Sequence, residues 1–315
     1  MKGAHSIEIL FRGIIENLPD SHNVQQYICT HKWKRFHSFF QARKHQGDVN
    51  HITGDIHSIA LFLNKKKTIL TIHDTGRYDR DLKGFKKRIF KFLWLTLPVR
   101  QVRFITTISE FTKQRLIEEC KINSDIIKVI PNPAATDFNF NNKHYDSKNP
   151  KILQIGSGNN KNIHRLISAI TGTHFSLILV RKPDKELEDL LKKAKIPYEW
   201  HYNISRNAIY DCYVQSDILF FASEYEGFGV PILEANAIGR PVITSNLSSM
   251  PYVAGNSAIL VDPYHVGDIR RALFDINNDQ SLREELVQKG LKNLERFEMK
   301  KIIGEYIDLY KKVVQ

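Results

Sequence analysis

The chain has 315 residues, of which 42% are hydrophobic and 25% charged, and its formal net charge is +12. This composition excludes a disordered or fibrous chain, and the length favours two domains of about 150 residues each. There is no run of about 18 apolar residues, so a membrane-spanning helix is not predicted. The first residues also lack the apolar stretch and cleavage site of a signal peptide, so a cytoplasmic location is expected.

The cysteines and the charge distribution narrow the class of protein further. The three cysteines lie far apart without C-x-x-C spacing, which indicates neither a disulfide framework nor a zinc site. Residues 1–150 carry 25 Lys and Arg against 14 Asp and Glu, whereas residues 151–315 carry 21 against 20. The first half is therefore expected to face something anionic, with a phospholipid surface, an acidic acceptor and nucleic acid as alternatives.

The first half predicts helices and strands in alternation after an initial helix. The expected helices are 2–18, 33–45, 57–64, 83–100 and 110–120, and the expected strands are 23–30, 48–53, 67–73, 103–109 and 126–132. A doubly wound domain usually opens with a strand that runs into a glycine-containing turn and a helix. Since this chain begins with the helix, the first domain is expected to lack its first strand; the alternative is a domain that simply begins with a helix.

The second half shows the same alternation of strands and helices more clearly. Expected strands are 151–156, 175–180, 198–202, 217–222, 241–245 and 258–262, and expected helices are 162–171, 184–194, 205–215, 231–238, 266–277, 281–296 and 299–313. The alternation predicts an α/β fold of two Rossmann-like domains with parallel sheets. We expect domains at 1–145 and 146–298, joined through the polar stretch 139–150, and a C-terminal helix at 299–315 that packs back toward the first domain.

The stretch "SEYEGFGVPILEANAIGRPVITS", residues 223–245, carries the strongest chemical signal. A strand ends, a glycine turn follows, and Pro231 begins a helix. Backbone N–H groups of Gly227 and Gly229, with the helix start, favour a phosphate or diphosphate. Glu234, expected in the first turn, could hold a ribose diol, and Glu226 the hydroxyls of an attached sugar. Alternatively, Glu234 only complements the helix dipole and Glu226 is a solvated turn residue.

These residues resemble the signature of retaining glycosyltransferase family 4, in which seven residues separate two glutamates on the two-domain GT-B fold. The motifs "DVNHITGDIH", "TIHD", "TISEFTKQRL", "KVIPNP", "LQIGSGNNKN" and "AILVDP" follow in the family's order over nearly the whole chain. The resemblance implies an enzyme that moves a sugar from a UDP- or GDP-linked donor to a glycan or lipid-linked acceptor, in cell-surface polysaccharide biosynthesis. It implies no cofactor and no metal.

The resemblance also implies roles for individual residues. Glu226 would lie at the transferred sugar and Glu234 at the nucleotide ribose. The backbone of Phe228, Gly229 and Val230 would lie near the diphosphate and sugar. Lys161 would pair with the diphosphate. Many relatives have an arginine directly after the glycine that ends the preceding strand, whereas here Ser157 follows Gly156. One phosphate-neutralising cation is therefore absent or supplied from elsewhere, and Arg165 and Arg240 are the candidates.

In the first domain, the ends of two neighbouring strands carry the predicted site residues. The resemblance places His73 at the donor sugar, and Asp55 and His57 follow the preceding strand. A structural hydrogen bond is the alternative for each histidine. Ser109 is expected to cap the helix that follows it. Asp79 and Asp81 have the D-x-D spacing of metal ligands but precede a basic helix, so a helix N-terminal charge pattern is favoured over a metal site.

The basic segment 83–103 combines lysines and arginines with phenylalanines, a tryptophan and leucines. It predicts either a helix on an anionic membrane surface, which would place the protein on the inner face of the cell membrane, or a helix packed on the sheet with a solvated basic face. Nucleic-acid binding is a weaker interpretation, since no recognised module occurs. A sugar phosphorylase of the same fold is the enzymatic alternative, but no lysine-bound pyridoxal motif is found.

Overall fold

A computed structural model describes residues 6–29, 35–76, 78–79 and 82–315. The chain forms two compact units. One contains Met1–Pro133 with Glu298–Gln315, and the other contains Ala134–Phe297. The expectation about a first strand concerns chain before Ser6, which lies outside the described residues.

The first unit is built on a parallel sheet. Its described strands are β1 (Asn50–Ile52), β2 (Thr68–Ile72), β3 (Phe104–Thr107) and β4 (Ile127–Val129), hydrogen-bonded in that order. Each falls within a predicted run. The strand predicted at 23–30 is wrong for residues 23–29, which belong to no helix or strand and are mostly exposed. A β-rich composition alone does not form a strand where no neighbouring edge is available. Thr30 lies outside the described residues.

Helices cover this sheet. They are α1 (Ser6–Glu16), α2 (Arg35–Ala42), α3 (Gly84–Phe90), α4 (Leu97–Arg100) and α5 (Glu110–Cys120), with a π-helical segment, Lys91–Thr96, that joins α3 to α4. The expected helix at 57–64 is a 3-10 helix, His57–Phe62. Ser109 caps α5 as predicted, because its hydroxyl oxygen accepts the N–H of Thr112 at 3.2 Å.

The second unit contains a larger parallel sheet. Its described strands are β5 (Lys151–Ile155), β6 (Ser176–Val180), β7 (Tyr198–His201), β8 (Ile218–Phe221), β9 (Val242–Ser245) and β10 (Ala258–Val261), in the order β10-β9-β8-β5-β6-β7. The helices are α6 (Ile163–Ile170), α7 (Lys185–Lys193), α8 (Arg206–Gln215), α9 (Val230–Ile238), α10 (Met250–Ala254), α11 (Val266–Asn278) and α12 (Gln280–Asn293). Of these, α10 is not predicted from the sequence.

The strands of the second unit are buried in its hydrophobic core. Leu177 and Leu179 of β6 pack with apolar side chains of α6, α7 and α11. Strands buried on both faces read as continuous apolar runs, so their positions could be predicted without alternation.

The chain passes from the first unit to the second at Pro133 and Ala134, before the predicted boundary. Residues 134–150 lie on the second unit because specific polar contacts hold them there. The N–H of Asn141 donates to the carbonyl of Ile238 at 3.1 Å, and the Lys143 ammonium lies 2.6 Å from the buried Asp217 carboxylate.

The C-terminal helix α13 (Met299–Val314) belongs to the first unit. Its buried face includes Ile302, Tyr306 and Leu309, which pack with Phe11 and Ile14 of α1. Polar groups also join it to the sheet. The His51 ring bonds through Nδ1 to the Tyr310 hydroxyl at 2.9 Å and through Nε2 to the Thr71 hydroxyl at 2.7 Å.

The environment of His51 makes the stability of the first unit dependent on pH. Burial, and to a smaller extent the nearby His73, lower the pKa of His51 to about 3. The unfolded chain therefore binds more protons than the folded chain below about pH 6.5, and stability falls as the pH falls. At pH 5 this histidine alone should cost about 2 kcal/mol.

We therefore expect His51→Gln to lose about 2 kcal/mol less stability than the wild type between pH 7 and pH 5, as measured by denaturant unfolding. His265→Gln is the control, because the His265 side chain is 63% exposed. Equal pH dependence of His51→Gln and the wild type would contradict the expectation.

Candidate functional site

The predicted donor residues lie at the carboxyl ends of β5 and β8, where the strand order of the second sheet reverses. The chain leaves β5 through the loop 156–162 into α6, and leaves β8 through the loop 222–229 into α9. Ligands of open α/β sheets bind at such a reversal point. The loops are joined directly: the Asn160 amide donates to the carbonyl of Tyr225 at 2.9 Å, and the N–H of Glu224 to the carbonyl of Asn160 at 2.8 Å.

The structure brings Lys161 and Glu226 together. The Lys161 Nζ lies 2.5 Å from the Glu226 Oε1 and 4.6 Å from the centre of the Phe221 ring. The two charged side chains are 19% and 16% exposed. They are therefore sheltered but open to a ligand. Gly156, at φ +109°, makes room for the lysine, since a Cβ at this position would lie 2.6 Å from the Lys161 Cε.

The glycine turn is fixed by serines that follow β9. The Ser249 hydroxyl donates to the carbonyls of Glu226 and Phe228, and the N–H of Glu226 donates to the Ser248 hydroxyl at 3.1 Å. Gly229 has φ +123°, a backbone conformation that only glycine adopts readily, and it precedes α9. The Phe228 side chain is buried against the Phe297 ring. The Phe228 side chain thus anchors the turn, which leaves its backbone as the group that could meet a ligand.

Glu234 is not in the first turn of its helix, so that part of the sequence prediction is wrong. Because α9 starts at Val230, Glu234 is its fifth residue, and it is only 5% exposed. Its Oε1 lies 2.5 Å from the Arg206 guanidinium, and its Oε2 accepts the Tyr213 hydroxyl at 2.7 Å. A carboxylate keeps further lone pairs, so a diol can still be accepted, but the orientation of Glu234 is set from inside the protein.

The Arg206 guanidinium connects this carboxylate to a second one. It bonds Asp137 through Nε at 2.8 Å and through Nη2 at 3.1 Å, and it lies 4.0 Å from the centre of the Phe138 ring. Burial opposes its charge, but the hydrogen bonds with Asp137 and Glu234 outweigh burial and raise the pKa of Arg206. Burial and the charge of Glu234 raise the pKa of Tyr213, which stays a neutral donor.

The two arginines considered as replacement cations have other roles. Arg165 bonds Glu224 at 2.6 Å and Asn162 at 2.9 Å. Arg240 is buried and donates to backbone carbonyls at the amino end of the sheet, including those of Tyr213 and Val214. The Ser157 hydroxyl accepts the N–H of Lys182 at 2.6 Å. Arg240 is thus structural, and Arg165 is largely neutralised by Glu224.

The predicted residues of the first unit lie together around a cavity of about 180 Å³. Asp55, His57, His73 and Asp74 line it, together with the aromatic side chains of Tyr78, of Phe90 in α3 and of Trp94 in the π-helical segment. The Trp94 indole donates to the Asp55 carboxylate at 2.9 Å, and the backbone carbonyl of Trp94 accepts Nδ1–H of His57 at 2.9 Å. Asp74 accepts the N–H of Gly76 at 2.8 Å, which supports the turn after β2.

Both histidines of this cavity are neutral near pH 7. Burial lowers the pKa of His57, opposed by the hydrogen bond to the carbonyl of Trp94. Burial likewise lowers the pKa of His73, opposed by the hydrogen bond from its Nε2–H to the carbonyl of Thr53 at 2.8 Å. Since each ring donates one N–H to a carbonyl, the other ring nitrogen is an acceptor for a hydroxyl group.

Asp79 of the D-x-D pair is engaged within the first unit. Its carboxylate accepts the Thr75 hydroxyl at 2.5 Å and pairs with the Arg115 guanidinium. Asp81 lies outside the described residues. In the described ranges, no group of three or more His, Cys, Asp or Glu side chains is arranged to hold a metal ion.

Sequence reasoning missed the partners of the predicted side chains: Asp137, Arg206, Tyr213 and Trp94. Arg206 and Tyr213 of α8 contact Glu234, and Asp137 contacts Arg206 from the segment before β5, an arrangement that no motif spacing reveals. The one signal for Trp94 is its place in the aromatic segment 83–103.

The chain has two α/β units, each built on a parallel sheet. The second unit carries a glycine turn and a paired lysine and glutamate at the point where its strand order reverses. Together these features define a GT-B glycosyltransferase architecture. The sequence profile "Glycosyl transferases group 1" matches residues 136–293, and "Glycosyltransferase Family 4" matches residues 22–138. The chain belongs to the group 1 glycosyltransferases. The predicted fold class and family resemblance are confirmed.

Similar proteins include two bacterial enzymes. O-antigen chain mannosyltransferase B of Escherichia coli is 35% identical over 99 residues, which are 31% of this chain and 26% of that relative. O-antigen chain mannosyltransferase RfbU of Salmonella typhimurium is 28% identical over 217 residues, which are 66% of this chain and 59% of that relative. The chain thus spans less than two thirds of either relative.

Among solved structures, Anabaena Alr3699/HepE in complex with UDP and glucose matches with a TM-score of 0.72 at 14% identity, covering 90% of this chain and 84% of that one. This likeness shows the fold. In the described part of the chain, no helix is long and apolar enough to cross a membrane.

Proposed function

We propose that this protein is a retaining glycosyltransferase that moves a hexosyl group from a UDP- or GDP-linked donor to a glycan or lipid-linked acceptor, without a metal, in cell-surface polysaccharide biosynthesis. The names of the mannosyltransferase relatives favour a mannosyl donor, and the UDP and glucose bound to the Anabaena protein support a nucleotide site on this fold. Both inferences concern substrates and rest on similarity.

The observation that carries the proposal is the contact between Lys161 and Glu226. Two loops that are 65 residues apart in sequence place a cation and a carboxylate side by side, at the sheet reversal. Glycosyl transfer needs both charges: a cation for the diphosphate that leaves and a carboxylate for the sugar ring, where positive charge develops.

The roles follow from this arrangement. One N–H of the Lys161 ammonium meets Glu226, and the other two are available to diphosphate oxygens. The backbone of the Gly227–Gly229 turn and the start of α9 add further positive potential. Glu226 would face the sugar ring. In same-face attack the leaving phosphate takes the acceptor proton, so no separate protein base is required.

The cavity of the first unit is proposed to bind sugar hydroxyls. His57 and His73 offer neutral acceptor nitrogens, Asp55 offers a carboxylate, and the Trp94 and Phe90 rings, stacked at 5.6 Å, offer an apolar surface. Glu234, held by Arg206 and Tyr213, is proposed to accept the ribose diol within the second unit.

The proposal is tested by following donor consumption and product stereochemistry by NMR. The full chain is incubated with UDP-glucose or GDP-mannose and glycan or lipid-linked acceptors extracted from bacterial envelopes. Retained anomeric configuration in an acceptor-dependent product supports the proposal, and an inverted product contradicts it. Glycan cleavage that requires inorganic phosphate would instead identify a phosphorylase.

The helical segment Gly84–Arg100 is proposed to lie on an anionic membrane surface. Phe85, Ile89 and Phe92 recur at helical spacing and are 75%, 44% and 53% exposed, and Lys86 and Arg88 are exposed beside them. The other end of the segment packs on its own unit through the buried Leu95 and Val99. An apolar stripe flanked by cations is the pattern of interfacial helices.

We expect the Phe85→Ala, Phe92→Ala double variant to bind vesicles of anionic phospholipid about 100-fold more weakly than the wild type, because each ring contributes roughly 1.5 kcal/mol when it leaves water. Vesicle co-sedimentation measures this. Phe140→Ala removes an exposed ring from the second unit and should bind like the wild type. Equal binding of all three proteins would contradict the membrane proposal.

A further inference from the structure

Arg181, the residue after β6, has an environment that no role described above explains. It is 6% exposed, and its Nε and Nη1 atoms are enclosed without a hydrogen-bond partner among the described residues. Buried charges are normally paired, because an uncompensated one is strongly unfavourable. A buried guanidinium with free donors is therefore a site at which an anionic ligand would complete the hydrogen bonding.

The sheet register places Arg181 beside Gly156, the residue that makes room for the stem of Lys161. Ile155 of β5 pairs with Val180 of β6, so the next positions, Gly156 and Arg181, continue the register. The N–H of Gly156 donates to the carbonyl of Val180 at 2.9 Å, which extends the pairing past β5. Paired positions of parallel strands share a sheet face. The stem of Lys161 lies against Gly156, so Arg181 and Lys161 are anchored at adjacent positions of the carboxyl end of the sheet.

The surroundings of Arg181 hold its backbone in place but leave its charge unpaired. Its N–H donates to the carbonyl of His201, and its carbonyl accepts the Trp200 indole N–H at 3.0 Å. Burial lowers the pKa of Arg181, and Asp184 opposes this. Asp184 caps α7 by accepting the N–H of Leu187, and no ion pair between Asp184 and Arg181 is found in the described ranges.

We propose that Arg181 is a second cationic ligand of the donor diphosphate, supplying the charge that Ser157 cannot. The inference rests on the proposed function and adds a residue to its donor site. A diphosphate carries more negative charge than one lysine offsets, and Lys161 is already paired with Glu226. Arg165 cannot supply the missing charge because it is paired with Glu224. Ser157 is close enough to act with Arg181, since its hydroxyl accepts the N–H of the adjacent Lys182.

The test compares Arg181→Met with Lys182→Met and Lys161→Met in the full chain, with calorimetric titration of UDP, GDP and the unphosphorylated nucleosides. Hydrogen bonds to charged groups predict that Arg181→Met weakens diphosphate binding about 10- to 100-fold. Nucleoside binding should be unchanged. Lys182→Met removes an exposed neighbouring cation and should change diphosphate binding by about twofold at most.

Thermal unfolding without ligand separates this role from a structural one. Removing an unpaired buried charge should leave the Tm of Arg181→Met equal to or above that of the wild type. A lowered Tm of Arg181→Met with unchanged diphosphate binding overturns the inference. Arg181→Lys keeps the charge and should bind diphosphate more tightly than Arg181→Met. If only Lys161→Met weakens binding, the donor-site proposal survives and this inference fails. If the wild type binds no diphosphate, both fail.

Discussion

Glu226→Gln is expected to lower kcat about 100- to 1000-fold without weakening the binding of nucleoside diphosphate. The amide keeps the shape of the side chain but removes the negative charge that is proposed to face the sugar ring as positive charge develops there. Losing one such preorganised electrostatic contact typically costs this much in kcat. Because Lys161 would lose its carboxylate partner, its ammonium should become more available to phosphate, so Kd should stay equal or fall.

A matched control is Glu199→Gln. Glu199 also pairs with a lysine of the second unit, Lys151 at 2.8 Å, but the Lys151 and Glu199 side chains are 39% and 45% exposed, away from the loops after β5 and β8. Its kcat and Kd should match the wild type, since exposed ion pairs contribute little. A Glu226→Gln variant with wild-type kcat, or one that loses diphosphate binding with kcat unchanged, would contradict the role given to Glu226.

Glu234→Ala is expected to lower the free energy of unfolding by about 3 kcal/mol as well as to weaken donor binding. The Glu234 carboxylate is buried, and its loss leaves the buried Tyr213 hydroxyl and one side of Arg206 without their partner. Removing one member of a fully buried pair costs about 3 to 5 kcal/mol. The Arg206 side chain is 39% exposed and keeps Asp137, so the lower end applies.

Denaturant unfolding measures this cost, and a surface pair gives the comparison. Glu188→Ala breaks the exposed pair with Lys192 and should leave the free energy of unfolding close to that of the wild type. Tyr213→Phe should retain the fold while weakening donor binding, since Glu234 loses one of the contacts that orient it. If Glu234→Ala is as stable as the wild type, the network does not hold this carboxylate as described.

The sequence predicted the parts of the fold that depend on local patterning. Buried strands such as β6 and β8 are short apolar runs bounded by turn residues, so their positions could be predicted within about a residue. The loops after β5 and β8 carry glycines and charged residues in a spacing that the family shares. The assignment of Lys161 and Glu226 to one donor site could therefore be predicted, whereas their direct ion pair could not.

Features that depend on tertiary packing could not be predicted from the sequence. Residues 23–29 have strand-forming composition but no neighbouring strand to bond. Residues 139–150 are polar, as a linker would be, yet Asn141 and Lys143 bind them to the second unit. Glu234 lies deeper in its helix than predicted because α9 begins at Val230, one residue before Pro231. The partners of Glu234 come from α8, which packs beside α9.

The most direct test of the donor site is thermal unfolding of the full chain with UDP, GDP, ADP and their nucleotide-sugars, in parallel with Lys161→Ala and the surface control Lys192→Ala. We expect UDP or GDP at 100 times its Kd to stabilise the wild type and Lys192→Ala by about 2.7 kcal/mol. The same concentration should stabilise Lys161→Ala far less. The absence of a shift with every nucleotide, or an equal shift in Lys161→Ala, would contradict a nucleotide-diphosphate site at the loops after β5 and β8.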